Sequence, residues 1–130
     1  FVGAIANGGK GADPYLVGSI TAGGIKTYSA KTQRGPRIMS ETTADILHAY
    51  MRNNVKTKYG DENFPGLSVC AKTGTGEVGG DKKPNAMLAG FVEDEQYPLA
   101  FVVAVEDGGY GIEVCIPIIS RVLAACKEAL

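Results

Sequence analysis

The chain has 130 residues, 45% hydrophobic and 21% charged, with a net charge of −1. Such a length holds one domain or part of one, and can bury roughly two-thirds of its unfolded surface. The near-neutral balance gives no footprint for nucleic acid or an anionic membrane surface. No run approaches the roughly 18 apolar residues of a membrane helix.

Phe1, Val2 and Ile5 share a helical face, and Asn7-Gly8-Gly9 is a helix stop. With neither an N-cap nor a methionine before it, this segment is expected to begin inside a helix, as a cut fragment would. Pro14 to Thr21 is rich in β-formers and predicts a strand, Ala22-Gly23-Gly24 a turn, and Ile25 to Tyr28 a returning strand. Ser29 to Arg37 carries Lys31, Arg34 and Arg37 and reads as a solvated basic loop.

Ser40 or Thr42 can cap a helix over Glu41 to Asn54. Ile46, Leu47, Tyr50 and Met51 recur at helical spacing, Val55 continues the row, and the stripe is read as core. His48, the single histidine, is offset from these rows and is expected to be exposed, with no metal-spaced partner along the chain. Lys56 to Pro65 reads as a polar turn.

Leu67 to Ala71, Asn85 to Val92 and Pro98 to Val105 are apolar strand candidates. Their connections are short, which predicts antiparallel neighbours, and their near-continuous apolarity predicts a sheet covered on both faces. Asp107 to Gly111 is a turn. Ile116 to Leu130 predicts a closing helix with Pro117 in its first turn and Ile119, Val122, Leu123 and Cys126 on its inner face. The fold class is therefore α/β of the α+β type, an antiparallel meander with flanking helices.

The cysteines, Cys70, Cys115 and Cys126, are odd in number and widely spaced, with no C-x-x-C pattern. Cys70 lies in an apolar run and reads as a small core residue. No metal and no cofactor is expected.

Gly66 to Gly80 is the stretch with the most chemistry in it. An apolar run ends in Lys72, then Thr73 and Thr75 alternate with Gly74 and Gly76. A cation, two hydroxyls and bare backbone make an anion-holding composition. Gly66 to Thr73 reads G-x-x-x-x-A-K-T, one residue from a P-loop. A P-loop, however, needs a helix opening at its lysine, and Gly-Thr-Gly-Glu-Val-Gly-Gly is poor helix material. Gly74 to Gly79 matches G-x-G-x-x-G, again without a following helix. The bland alternative is a strand and a glycine-rich hairpin with Lys72 merely solvated.

A further reading comes from resemblance. Lys72-Thr73-Gly74-Thr75 resembles the third signature of the penicillin-binding proteins. Ala4-Ile5-Ala6-Asn7-Gly8-Gly9 with Pro14, Met51-Arg52 with Val55, Ala71 to Glu77, and Ala89-Gly90-Phe91-Val92 resemble, in that order, further blocks from the second half of a transpeptidase domain. The resemblance covers nearly the whole chain and implies a partial penicillin-binding-protein/β-lactamase-like transpeptidase fold, with residues 1–130 as the C-terminal part of one domain.

That family works by acyl transfer, with a nucleophilic serine in S-x-x-K, a second S-x-N motif and the Lys-Thr-Gly strand. Ser19, Ser29, Ser40, Ser68 and Ser120 have no lysine three residues on and no asparagine two residues on. Only the third station is present, so the chain alone is expected to be inactive. The resemblance implies that Lys72 keeps the cleft positive and that Thr73 and Thr75 bind the carboxylate of a D-Ala-D-Ala stem peptide or a β-lactam. Gly74 and Gly76 give close access to the main chain, and the Thr75 backbone N–H serves as an oxyanion donor. It also implies a membrane-anchored protein on the extracytoplasmic face. The absent half of the domain would be the natural partner, with a homodimer or element swap as its substitute. Other readings stay open: a non-catalytic binding or oligomerising piece, or a β-lactamase or β-lactam sensor of the same fold.

Overall fold

A computed structural model describes residues 1–129. Three helices and seven strands are arranged as a three-stranded antiparallel sheet with helices on both sides and two small two-stranded ribbons beside it.

The first helix, α1 (Val2–Ala6), buries Ala4 and Ile5 and ends at Asn7. Gly8 and Gly9 then take positive φ values of 58° and 87°, and the Gly9 N–H returns to the Ala4 carbonyl at 2.7 Å. The glycine stop thus forms where the sequence placed it. Phe1 does not join the apolar face and is 83% exposed.

The next segment differs from the sequence reading. Strand β2 is Ser19–Ala22 and pairs with β3 (Ile25–Ser29), so the hairpin exists, but Pro14 to Gly18 lies outside it. The basic stretch read as a loop contains strand β4 (Gln33–Arg37), which pairs with β1 (Lys10–Asp13). Its pattern of charged and small residues has no apolar alternation, because the ribbon is solvated and its pairing is set by the backbone.

Helix α2 (Glu41–Asn54) forms over the predicted residues, with the Ser40 hydroxyl accepting from the Thr43 N–H at 3.1 Å. Its inner face is rotated from the predicted one. Ala44, Met51 and the following Val55 are buried and Leu47 is half-buried, whereas Ile46 and Tyr50 point outward. Small Ala44 lets the helix approach closely, and the pair of large apolar side chains misled the periodicity. The predicted polar turn is instead a π-helical turn (Val55–Tyr59) and a 3-10 turn (Asp61–Asn63). They carry the helical face onward, burying Val55 and Tyr59 four residues apart.

The central sheet has the order β5 (Val69–Gly76), β6 (Asn85–Val92), β7 (Ala100–Val105), all antiparallel. Opposed pairs run from Val69–Val92 to Gly76–Asn85, leaving β5 as an edge. Helix α3 (Gly111–Ala129) closes one face with Cys115, Ile116, Ile119 and Leu123 against Val69, Ala71, Ala86, Leu88 and Val92. It starts five residues before the predicted point, so Pro117 lies inside it. Val122 is outward rather than core, and Cys126 is half-buried.

The opposite face is covered only at one end, where Ile5 and Met51 pack on Cys70 and Phe91. Beyond them Met87 and Val102 are exposed, so the expectation of a sheet buried on both faces holds for only part of it. Strand β7 alternates between exposed and half-buried residues. An apolar run cannot distinguish a covered face from one awaiting cover.

Candidate functional site

Strand β5 runs without interruption through Lys72, Thr73, Gly74 and Thr75 to Gly76, and the residues after it form a loop into β6. No helix opens at Lys72 or at Gly76 or Gly79, so the phosphate-loop and dinucleotide readings of this stretch are overturned.

The strand's alternation decides what each residue can offer. Lys72 and Gly74 lie on the face of Cys70 and Phe91, while Thr73 and Thr75 lie on the α3 face. Lys72 is exposed, and its Nζ donates to the Thr73 carbonyl at 2.5 Å, which brings the ammonium round to the free edge. The cation therefore lies at the edge against the Thr73 main chain, while the Thr73 hydroxyl bonds Tyr59. Gly74 has no positive φ; a Cβ there would already touch Met87 Cβ at 3.4 Å.

An edge strand leaves every second residue's N–H and C=O unpaired. On β5 these belong to Val69, Ala71, Thr73 and Thr75. Arg52 Nη1 donates to the Val69 carbonyl at 3.2 Å, and Asn54 Nδ2 to the Ala71 carbonyl at 3.3 Å. The Thr73 N–H donates to the Tyr59 hydroxyl at 3.1 Å, and Thr73 Oγ1 shares a 3.1 Å hydrogen bond with the same oxygen. The end of α2 and the π-helical turn thus take up the carbonyls of Val69 and Ala71 and the N–H of Thr73. The same alternation turns the Thr75 N–H outward beside an exposed Thr75 side chain.

Tyr59 is the residue that sequence reasoning missed. It fell in a segment read as a polar turn, yet the four-residue step from Val55 to Tyr59 was a usable signal that a helical face continued. Arg52 entered the sequence reading only within a family block and Asn54 only as the last residue of a helix, neither with a role at the strand.

A second cluster lies further back on the same strand. His48 is half-buried rather than exposed, its ring 5.0 Å from that of Phe91 in an edge-on packing. Its Nε2 meets Glu93 Oε1, and Arg52 Nε lies 3.4 Å from Glu93 Oε2. Arg52 also grips Asp61 at 2.6 and 2.9 Å, which holds the Asp61 carboxylate below its usual range. Cys70 is fully buried, and burial, reinforced by Glu93, pushes its thiol up to about 12. In the metal-free chain it packs as a small core residue with its thiol protonated, in keeping with the sequence reading. A cleft of about 570 Å³ lined by Arg52, Asp61, Phe64, Leu67, Ser68 and Glu93 lies at this end of β5, away from Lys72 and Thr75.

The family model for the penicillin-binding protein transpeptidase domain matches residues 1–124. Among curated proteins, the peptidoglycan D,D-transpeptidase PbpA of Mycobacterium tuberculosis is 34% identical over 110 residues, covering 80% of this chain and 22% of that protein. The corresponding PbpA of Mycolicibacterium smegmatis is 32% identical over 109 residues, with 81% and 22% covered. The chain thus spans about a fifth of the length of the curated relatives it matches. Among solved structures, penicillin-binding protein A from M. tuberculosis as a ceftriaxone acyl-enzyme complex superposes with a TM-score of 0.83 at 30% identity, over 94% of this chain and 29% of that one. The D,D-transpeptidase domain of a peptidoglycan glycosyltransferase from Eggerthella lenta gives 0.82 at 29% identity, over 97% and 30%. With the order of its sequence blocks, its three-stranded meander and its Lys-Thr-Gly edge strand, this chain belongs to the penicillin-binding protein transpeptidase family.

Proposed function

We propose that residues 1–130 form the C-terminal part of one transpeptidase domain and supply the substrate side of a serine D,D-transpeptidase that cross-links peptidoglycan. The observation that carries this reading is the selective satisfaction of the β5 edge. The outward carbonyls of Val69 and Ala71 and the Thr73 N–H have side-chain partners, and the opening falls at Thr75, next along the edge from the Thr73 carbonyl that holds the Lys72 ammonium.

On this reading a stem peptide ending in D-Ala-D-Ala, or a β-lactam in its place, lies along the β5 edge as an added strand. Its carboxylate is held by Lys72, by the exposed Thr75 hydroxyl and by Thr73, whose hydroxyl Tyr59 orients. Gly74 keeps the main chain close to the ligand. The Thr75 N–H donates to the oxyanion that forms as the carbonyl is attacked. The attacking serine, its lysine and the S-x-N motif come from the remainder of the domain, which would be the chain's partner. The whole protein then acts on the extracytoplasmic face of the membrane; among the described residues no helix is long and apolar enough to cross one.

Two supports come from relatives. The matched proteins of M. tuberculosis include acyl-enzyme complexes with ceftriaxone and with imipenem, and the curated relatives are named D,D-transpeptidases. The exposed Met87 and Val102 fit a face covered by the rest of the domain. In the isolated chain the same face favours a homodimer or an exchanged element, read by light scattering.

The test is intact mass with and without a penicillin, on this chain and on the longest native form of the protein. Only the long form should gain one drug mass. In that form Lys72→Ala should slow acylation by on the order of 10²-fold, the scale of one lost oxyanion-type contact. Drug mass on the short chain would overturn the half-site reading. Saturable, non-covalent penicillin binding by the short chain would favour a binding module.

A further inference from the structure

Three donor side chains from distant parts of the sequence converge behind the Lys-Thr-Gly segment. His48 stands on α2, Cys70 on β5 and Glu93 just past β6. An imidazole nitrogen, the Cys70 sulfur and a Glu93 carboxylate oxygen all lie within 4.8 Å of one another. We propose that this junction binds one divalent cation of the zinc class, with His48, Cys70 and Glu93 as protein ligands and water in the fourth position.

The donor set selects the ion. Sulfur and imidazole nitrogen favour zinc and its borderline neighbours over magnesium or calcium, which take oxygen. Three protein ligands with one open position is a known zinc arrangement. Two of the three ligands are also oriented by a second contact. The His48 ring is set by the Phe91 ring at 5.0 Å. Arg52 Nε holds Glu93 Oε2 at 3.4 Å and leaves Oε1 facing His48. Asp61 in turn fixes Arg52. Such outer contacts govern metal affinity in known sites.

Charge is consistent with this. Thiolate and carboxylate together balance the ion, and the Arg52 charge is matched by Asp61. On binding, the ion replaces the His48 Nε2–Glu93 Oε1 hydrogen bond, whose proton leaves to solvent or is carried on His48 Nδ1; the Cys70 S–H bond breaks, sulfur forms a bond to the metal, and that proton leaves to solvent. Clefts open on both sides of Glu93, one of about 490 Å³ that also includes Asp45 and Lys56, the other of about 470 Å³ that includes Asn7 and Phe91. They give the ion an entry path. A bound cation would tie α2 to β5 and β6 two residues before Lys72, clamping the base of the edge strand. The site stands apart from the acyl-transfer chemistry.

The experiment uses the whole chain, stripped with EDTA and titrated with cobalt(II) as a spectroscopic substitute. One cobalt per chain should bind, with a thiolate-to-cobalt absorption band and release of protons, and zinc should displace it. Cys70→Ser should abolish the band while Cys115 and Cys126 remain as controls. His48→Gln should weaken binding by more than the roughly 10–100-fold carried by outer contacts. Absence of stoichiometric binding by the unmodified chain overturns the proposal, as does a band that survives Cys70→Ser. Should Cys70→Ser fail to fold by circular dichroism, Glu93→Gln on the exposed rim decides, and unchanged affinity there rejects the site.

Discussion

Tyr59 shows how much a single hydroxyl can organise. It is 5% exposed and satisfies both the Thr73 N–H and the Thr73 side chain. Tyr59→Phe leaves a backbone donor without its partner, and a loss of about 1–3 kcal/mol is expected by urea denaturation. Asp61 gives a pH signature. Its folded value is depressed by Arg52, so the stabilisation is present above the unfolded value near about 3.9 and is lost as pH falls through the folded one. Acid denaturation of Asp61→Asn, followed by circular dichroism, should show a flatter slope below about pH 4; the effect is small because the carboxylate is half-exposed. The cysteines separate by burial. Brief iodoacetamide treatment of the metal-free native chain at pH 8 should label Cys126 first and spare Cys70 and Cys115, as read by peptide mass. Early labelling of Cys70 would contradict its closed environment.

At the scale of elements, close approach between strands matters more than any single contact. Gly90 sits at the centre of β6, where an added Cβ would press into the Cys70 carbonyl and lie 2.6 Å from the Phe101 ring. Gly90→Ala should cost about 1–3 kcal/mol, the usual scale of overpacking, and a stability near that of the unmodified chain would show that β5 and β7 can part freely. Gly111 plays the same part where α3 meets the sheet, since a Cβ there would lie 2.5 Å from the Met87 carbonyl. The first residue of α3 is thus held against the sheet backbone. Tyr110 and Gly111 read locally as turn residues, and only the backbone of β5 and β6 pressing on Gly111 reveals the need for a bare α-carbon. The Glu41–Asn54 helix was legible because cap and length agreed. Its inner face was not, because Ile46 and Tyr50 carry more apolar weight than the small Ala44 that packs.

For the whole molecule, stability is concentrated in the sheet, α2 and α3. The β2–β3 hairpin packs chiefly on itself and carries exposed Ile20, Ile25 and Tyr28. Its ends are already joined by the Ala30 N–H donating to the Gly18 carbonyl at 2.7 Å. Replacing residues 19–29 with a short glycine-serine turn should change unfolding free energy by less than about 1 kcal/mol. Loss of cooperative unfolding would show that the hairpin belongs to the core. The apolar positions on the open sheet face are a separate matter. Val102→Ser at the exposed centre of β7 should leave the fold intact and reduce any self-association seen by light scattering.

The Glu41–Asn54 helix with its Ser40 cap, the three-strand meander and the family were legible in the sequence, because these rest on local propensity, turn chemistry and ordered motifs; the solvated β1–β4 ribbon and the helical turns after Asn54 were not. For β5, the residues alone ended the strand at Ala71, and only the resemblance put Lys72, Thr73 and Gly74 on it. It took the folded chain to show which of its edge groups are met by Arg52, Asn54 and Tyr59 and that Thr75 lies beyond them. Only the tertiary structure brought His48, Cys70 and Glu93 together. Both outcomes depend on register and on helix rotation, which long-range packing sets and no short window of residues contains.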